Sequence, residues 1–228
     1  MNYLSLVQRM ISESGVNDTP EISCQSVAGN AGEIRRCCDW VAQSWIEIQE
    51  EHPGFDWMRK NFNFNTTANK QSYNLSEIGL TDFSSYRHGS FRIYLTSVGI
   101  LNEMILTEQN YDSFRDYYLL ASRKLSFARP SVISIAPDKS LVLGLPPDDV
   151  YTVTGEYFYN PIVLAADTDI PAMPVRFHMA IVYLAMKYYG AFMGAPEVFQ
   201  RGDTGYAKMM NKIELDQMQP VTTAGSMI

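Results

Sequence analysis

The segment FHMAIVYLAMKY, residues 177–188, decides the fold that the sequence predicts. Its apolar side chains recur at intervals of three and four residues and cover more than half of a helix circumference. Pro171 and Pro174 precede this helix, and the glycines of residues 190–194 allow it to end. Because a helix that is apolar on most of its sides has to lie inside a bundle, we predict that this helix is central.

Further helices are predicted on both sides of this segment. Residues 33–48 show a clear amphipathic pattern, and residues 3–14 read as a short helix. Pro196 stands where a first-turn proline starts another helix. Gly202 and Gly205 are expected to weaken the middle of that last helix.

Between these helices the apolar period changes from about 3.6 residues to 2, which indicates strands. Alternation of Phe and Asn before a turn, and its resumption afterwards, predict a hairpin over residues 62–75. Residues 101–106 are predicted as a strand, and residues 133–143 as a second hairpin. Strict alternation continues through residues 151–159, YTVTGEYFY.

The order helices, strands, helices predicts an α+β fold. In this fold the N- and C-terminal helices form one bundle, and a central antiparallel β region is inserted into it. We assign residues 1–60 and 161–218 to the bundle, as one discontinuous domain. Residues 61–160 form the inserted β-rich subdomain, and residues 219–228 form a C-terminal tail.

The chain has 228 residues and a net charge of −7, with no block of consecutive Lys or Arg. Gripping the phosphates of nucleic acid requires clustered cations, so the composition argues against such binding. An acidic surface does not exclude DNA passing nearby, because repulsion keeps a polyanion mobile.

Three cysteines, Cys24, Cys37 and Cys38, form no CxxC pair. This pattern favours free thiols in a reducing compartment over a disulfide framework. The first residues carry no basic leader, and no stretch approaches about 18 consecutive apolar residues. We therefore expect a soluble protein that is made in the cytoplasm and does not enter a membrane.

Enzymatic signatures are missing from the sequence: it contains no GxSxG, no Gly-rich phosphate loop, no GxGxxG after a strand and no HExxH. We therefore predict no enzymatic activity, no catalytic residue, no cofactor and no metal. A remote alternative is a hydrolase in which His178 acts with Asp167 or Asp169. A buried histidine hydrogen-bonded near a helix start is the favoured interpretation, because general-base work needs further placed partners.

Two other groups of residues are candidates for functional sites. Glu47, Glu50 and Glu51 could form a metal cluster, but a solvated acidic helix face is the commoner arrangement. The aromatic residues of 151–159 could stack bases. Since no Arg or Lys is interleaved with them, a sheet core or a subunit interface is favoured.

The end of the sequence suggests assembly. Residues 219–228 carry Val221, Met227 and Ile228, no charged side chain, and no helical pattern to hold them. An unanchored apolar tail, together with 14 tyrosines in a small chain, favours binding to protein partners. Simple disorder of the tail is the alternative.

Six short runs follow one another along the chain at residues 39–41 (DWV), 45–49 (WIEIQ), 90–94 (SFRIY), 151–157 (YTVTGEY), 164–171 (LAADTDIP) and 177–178 (FH). In this order they resemble the head-to-tail adaptor (head-tail connector) proteins of tailed bacteriophages. The resemblance spans about residues 4–218, and the order of the runs carries most of its weight.

This resemblance implies a structural virion protein of the neck region, assembled in the host cytoplasm. Its copies would form a ring, dodecameric in the family, that connects the portal to the tail and lines the DNA channel. The implied partners are further copies of the chain, the portal protein, tail or nozzle proteins, and DNA that passes without sequence-specific binding. A tail-completion or nozzle subunit of the same virion is the alternative.

The resemblance also implies a role for the tail, which in the family reaches up to the portal. The residues expected to bind the portal are Gln219, Pro220, Val221, Thr222, Thr223, Met227 and Ile228.

Overall fold

The computed structural model describes residues 1–15, 24–52 and 54–217. Its helices and mixed sheets confirm the predicted α+β class. Helices occupy both ends of the described chain, and all of its described strands lie between them. The chain divides into two compact units, one made of Met1–Trp57 with Pro161–Ile228 and the other of Met58–Asn160.

The described part of the first unit is helical. It contains α1 (Tyr3–Ser14), α2 (Gly32–Glu51), α6 (Met179–Met193) and α7 (Pro196–Gln217). Helix α6 packs against α1, α2 and α7, and buries side chains on most of its circumference. This is the central position that its apolar pattern predicts.

The ends of these helices follow from local chemistry. The Asn2 side chain accepts a hydrogen bond from the Ser5 amide at 2.9 Å and caps the start of α1. Gly15 and Gly194 end α1 and α6 in the left-handed conformation, with φ of 69° and 63°. Within the described residues, no helix combines the length and apolarity needed to cross a membrane.

Helices α6 and α7 approach each other closely at three glycines. A Cβ atom at Gly202 would lie 2.7 Å from the Tyr183 carbonyl oxygen and 2.8 Å from the Lys187 amide nitrogen. One at Gly190 would meet the Phe199 backbone at 2.5 Å, and Gly205 lies over the ring of Tyr183. The helix is continuous through Gly202 and Gly205, and both glycines lie at its contact with α6. The expectation that they weaken the middle of α7 stays a prediction.

The second unit contains two sheets and three short helices. The first sheet has β9 (Tyr151–Tyr159) at its centre, with β1 (Arg59–Asn65) along one side and β3 (Phe83–Tyr86) and β4 (Arg92–Leu95) along the other; β5 (Met104–Ile105) pairs with β4. The second sheet has the order β2 (Ser72–Tyr73), β8 (Leu141–Leu143), β7 (Val132–Ile135), β6 (Thr107–Glu108). The helices are α3 (Leu75–Ile78), α4 (Tyr111–Tyr118) and α5 (Ala121–Lys124).

Of the two predicted hairpins, one is present in the structure and one is not. The hairpin over residues 133–143 is confirmed, with Ile133 opposite Leu143. The hairpin over residues 62–75 is wrong, because β1 pairs with β9 and β2 pairs with β8 in the other sheet. Of residues 101–106, only Met104–Ile105 form a strand, and a 3₁₀ turn occupies Ile100–Asn102. One pair of strands, β6 and β7, is parallel.

The glycine contact between α6 and α7 gives a stability prediction. Replacing Gly202 by Ala should lower the free energy of unfolding by about 1–2 kcal/mol, since overpacking typically costs more than the roughly 1 kcal/mol that Ala gains in helix propensity. Urea unfolding followed by helical circular dichroism measures this. Asn211→Ala, at an exposed position of the same helix, is the control and should be neutral or stabilising. A Gly202→Ala chain at least as stable as the wild type would contradict the close approach.

Candidate assembly surfaces

The residues expected to bind the portal lie outside the described part of the chain. These are Gln219, Pro220, Val221, Thr222, Thr223, Met227 and Ile228. Portal binding by this segment therefore stays a prediction.

His178 is fully buried at the start of α6. Its Nε2 donates to the Met173 carbonyl oxygen at 3.0 Å, and its Nδ1 lies 2.9 Å from the Met1 nitrogen. Burial lowers the pKa of His178 below its ordinary value, and the positive charge at Met1 acts in the same direction. Both ring nitrogens are thus occupied by main-chain groups of the helical unit.

The two aspartates proposed as partners of His178 are used elsewhere. Asp167 accepts a hydrogen bond from the Val27 amide at 2.6 Å. Asp169 accepts two, from the amides of Ala165 and Ala166, which hold the pKa of its carboxyl below its ordinary value. Among the described residues no hydrogen bond joins either carboxylate to His178, so the geometry favours the buried-histidine interpretation.

The acidic face of α2 is engaged with tyrosines. The Tyr188 hydroxyl donates to Glu47, and the Tyr206 hydroxyl donates to Glu51. Near the other end of α2, the Tyr189 hydroxyl donates a hydrogen bond to Glu33 at 3.1 Å. Burial is the larger cause, and this hydrogen bond the second, that raises the pKa of Tyr189 to about 12. In the described part of the chain, no group of three His, Cys, Asp or Glu residues has an arrangement suited to a metal ion.

The three cysteines are buried free thiols. Burial raises the pKa of both Cys37 and Cys38 to about 12, so both stay protonated at neutral pH. The tyrosines of β9, Tyr151, Tyr157 and Tyr159, are also buried and belong to a sheet core.

Exposed apolar side chains, in contrast, cluster at the connection between β4 and β5. Residues 96–103, called here the β4–β5 tip, expose Val98, Ile100 and Leu101, and Leu101 is 95% exposed. The adjacent strand residue Ile105 is exposed as well. Contiguous apolar surface of this kind is typical of an interaction site.

Arg129 anchors the tip by hydrogen bonds. Its guanidinium donates to both the side-chain oxygen and the main-chain oxygen of Asn102, and to the Ile93 carbonyl at 3.2 Å. The same group lies 5.9 Å from the centre of the Tyr151 ring. Hydrogen bonds from a charged donor to three oxygens fix the 3₁₀ turn, and with it the direction of Ile100 and Leu101.

Two aspartates give the tip an acidic rim. Asp148 and Asp149 precede Val150, whose carbonyl accepts from the Thr96 amide at 3.1 Å. Both are exposed, and within the described residues neither has a cationic partner at salt-bridge distance. Asp148 accepts a hydrogen bond from the Tyr151 hydroxyl at 2.7 Å and Asp149 accepts one from the Val150 amide at 2.7 Å, so both carboxylates keep their negative charge at the rim.

A second exposed apolar surface surrounds α5. Leu120, Leu125 and Phe127, called here the α5 face together with Arg123 and Lys124, are each at least half exposed. Arg123 stacks on Tyr117, with 4.5 Å from its guanidinium carbon to the ring centre. In the residues that the structure describes, neither Arg123 nor Lys124 has a carboxylate partner. This surface is therefore apolar with a basic rim.

An open groove adjoins the α5 face. Its volume is about 610 Å³, and its walls are mixed in chemistry: Asn69, Gln71, Ser72, Tyr111, Leu119, Lys124, Ala136, Pro137, Asp138, Val142 and Pro146. A groove of this size accommodates several side chains of a partner.

The helical unit carries its own exposed aromatic patch. Phe192 and Met193, at the end of α6, are about half exposed. Arg36 lies over the Phe192 ring at 4.5 Å, and Trp40 contacts the same ring with 5.6 Å between centroids. Trp and Arg are the residue types enriched at interface hot spots.

Sequence reasoning missed the tip and the α5 face. A strand was predicted over residues 101–106, and that prediction gives no sign of the 3₁₀ turn that exposes Ile100 and Leu101. The sequence did contain one signal for the α5 face. Leu120, Leu125 and Phe127 lie close together around Arg123 and Lys124, and neither a helical nor a strand period places all three on one buried side.

His178 gives a prediction about pH. Because the folded-state pKa of His178 lies below its unfolded value of about 6.5, the stability that the neutral ring contributes is present above that pH and is lost as the pH falls below it. The stability gap between the wild type and His178→Gln should therefore narrow between pH 7.5 and pH 5.5, by at most about 1.4 kcal/mol per pH unit. Urea unfolding at both pH values measures the gap. A gap that stays constant would contradict a neutral, buried ring.

The comparison with known families fits this picture of a chain with interaction surfaces. The model of one family, described as SU10 adaptor protein, matches residues 1–226. A comparison with curated proteins finds no match. The family match covers nearly the whole chain and confirms the resemblance to phage head-to-tail adaptors that its sequence runs indicate. The chain belongs to the SU10 adaptor protein family.

Proposed function

We propose that copies of this chain form a ring, with twelve copies as the resemblance implies, that connects the portal to the tail and surrounds the DNA channel. The observation that carries the proposal is the family match over residues 1–226. In this role the chain is a structural component of the virion neck without catalytic activity.

The exposed apolar surfaces support assembly. The β4–β5 tip, the α5 face and the patch around Phe192 expose large apolar side chains to water on a single chain. Each square ångström of apolar surface removed from water contributes about 25 cal/mol, so covering such patches favours association.

Two different surfaces on one chain suit a ring. Head-to-tail contacts, in which one patch meets a different patch on the next copy, close into a ring when the rotation between copies allows it. The β4–β5 tip and the α5 face differ in shape and in rim charge, as such a contact requires.

The charge of the chain suits a channel wall. A net charge of −7 repels DNA, and no block of basic residues in the sequence would grip its phosphates. DNA would then pass without sequence-specific binding.

The first test is ring formation on the portal. The wild-type chain, mixed with the purified portal ring of the same virion, should give closed complexes in native mass spectrometry, with the twelve copies that the resemblance implies. A chain that stays monomeric and ignores portal rings at every concentration and salt tried would overturn the proposal.

A second test concerns residues 219–228. Deleting them should weaken binding to the portal at least about tenfold, a loss of 1.4 kcal/mol or more. A chain carrying only the conservative change Val221→Ile is the matched control and should bind as the wild type does. If the deleted chain still attaches to heads that already carry an intact ring, the tail-completion or nozzle assignment replaces the adaptor assignment.

A further inference from the structure

We propose that the β4–β5 tip of one copy docks on the α5 face of the next copy. The proposal deepens the ring assignment and rests on it, since it names the two surfaces that meet between neighbouring copies. The partner is thus a second copy of this chain, bound head to tail.

The first support is the construction of the tip. Ile100 and Leu101 project from a turn that Arg129 fixes through Asn102 and the Ile93 carbonyl. A fixed apolar projection loses little conformational freedom on binding, which favours it as the inserted part of an interface.

The second support is the shape of the receiving surface. Leu120, Leu125 and Phe127 form an apolar surface beside an open groove of about 610 Å³. Lys124 belongs to both the α5 face and the groove wall. The tip exposes apolar side chains, and the α5 face offers apolar side chains beside a concave groove whose walls are partly polar.

Charge decides between the ways in which two copies could pair. The tip carries Asp148 and Asp149 at its rim, while the α5 face carries Arg123 and Lys124. Tip against tip would bring four aspartates together, and face against face would bring four cations together. Tip against face pairs opposite charges, so the like-charge cost of the two symmetric arrangements selects the head-to-tail one.

The proposed contact is tested by cross-linking two single-cysteine additions across copies. One chain carries Leu101→Cys at the tip and the other carries Leu125→Cys on the α5 face. The three native thiols are buried, so a short bismaleimide should leave them unmodified and the wild-type chain serves as the blank. Both new positions are exposed, so neither change should disturb the fold.

The expected product of an equal mixture is the dimer that joins Cys at 101 to Cys at 125. Its yield should exceed the yield of either dimer of identical chains by about tenfold or more. A tenfold difference in yield corresponds to about 1.4 kcal/mol, and placing like charges against each other costs more free energy than this. Asn61→Cys, at an exposed position of β1, is the matched control and should cross-link with the Leu125→Cys chain only at background.

Charge reversal gives a second readout. Introducing Asp148→Lys and Asp149→Lys into the Leu101→Cys chain should reduce the mixed dimer to background. Introducing Arg123→Glu and Lys124→Glu into the Leu125→Cys partner should then restore it. Recovery only in the doubly reversed pair supports direct contact between the two rims.

The outcomes separate this inference from the ring assignment. If native mass spectrometry shows rings while the mixed dimer stays at the yield of random collision, the ring stands and the tip contact is overturned. If a different protein of the virion protects the tip while rings still form, the tip contact between copies is likewise overturned. If neither rings nor the mixed dimer forms, both proposals are lost.

Discussion

A methyl group on Gly202 would lie within 3 Å of two main-chain atoms of α6. The helical unit depends on this close approach, because α6 is the helix that packs against α1, α2 and α7. Its contact with α7 is made at Gly190 of α6 and at Gly202 and Gly205 of α7. Side chains at Gly190 or Gly202 would push α7 outward and open the contact along its length. Polar links such as Lys187–Asp203, at 2.7 Å, then tie the edges of a contact that backbone packing creates.

The sequence predicted the helices better than the sheets, for a physical reason. The apolar pattern of residues 177–188 covers most of the helix circumference. Because apolar side chains on most sides have to be buried, the helix has to lie at the centre of the bundle. Alternation in residues 62–75 reports only that two short stretches are extended, and it carries no information about their partners. The partners of β1 and β2 are about 90 and 70 residues away along the chain, where no local pattern reaches. The role of Gly202 as a contact residue could not be predicted, because propensity describes an isolated helix and gives no sign that the α6 backbone occupies the missing side-chain volume.

Some features of the candidate surfaces could likewise be predicted from the sequence, and others could not. A surplus of apolar residues and the absence of catalytic motifs could be read from the sequence, and so could the interpretation of His178 as a buried residue. The tip could not, because Leu101 owes its exposure to a turn fixed by Arg129, 27 residues from Asn102. A lone arginine in a loop carries no signal of such a contact. The tail from Gln219 lies beyond the described residues, so its binding to the portal stays a prediction.

The burial of the thiols bears on how the virion ages. A particle that leaves its host exchanges a reducing environment for one containing oxygen and peroxides, which attack cysteine as its thiolate. Burial raises the pKa of both Cys37 and Cys38 to about 12, so both are protonated at pH 7, and neither is open to solvent. Oxidative damage at these positions would have to wait for the helical unit to open. Oxidation of Cys37 and Cys38 is thereby controlled by opening of the helical unit and not by the intrinsic reactivity of the two thiols.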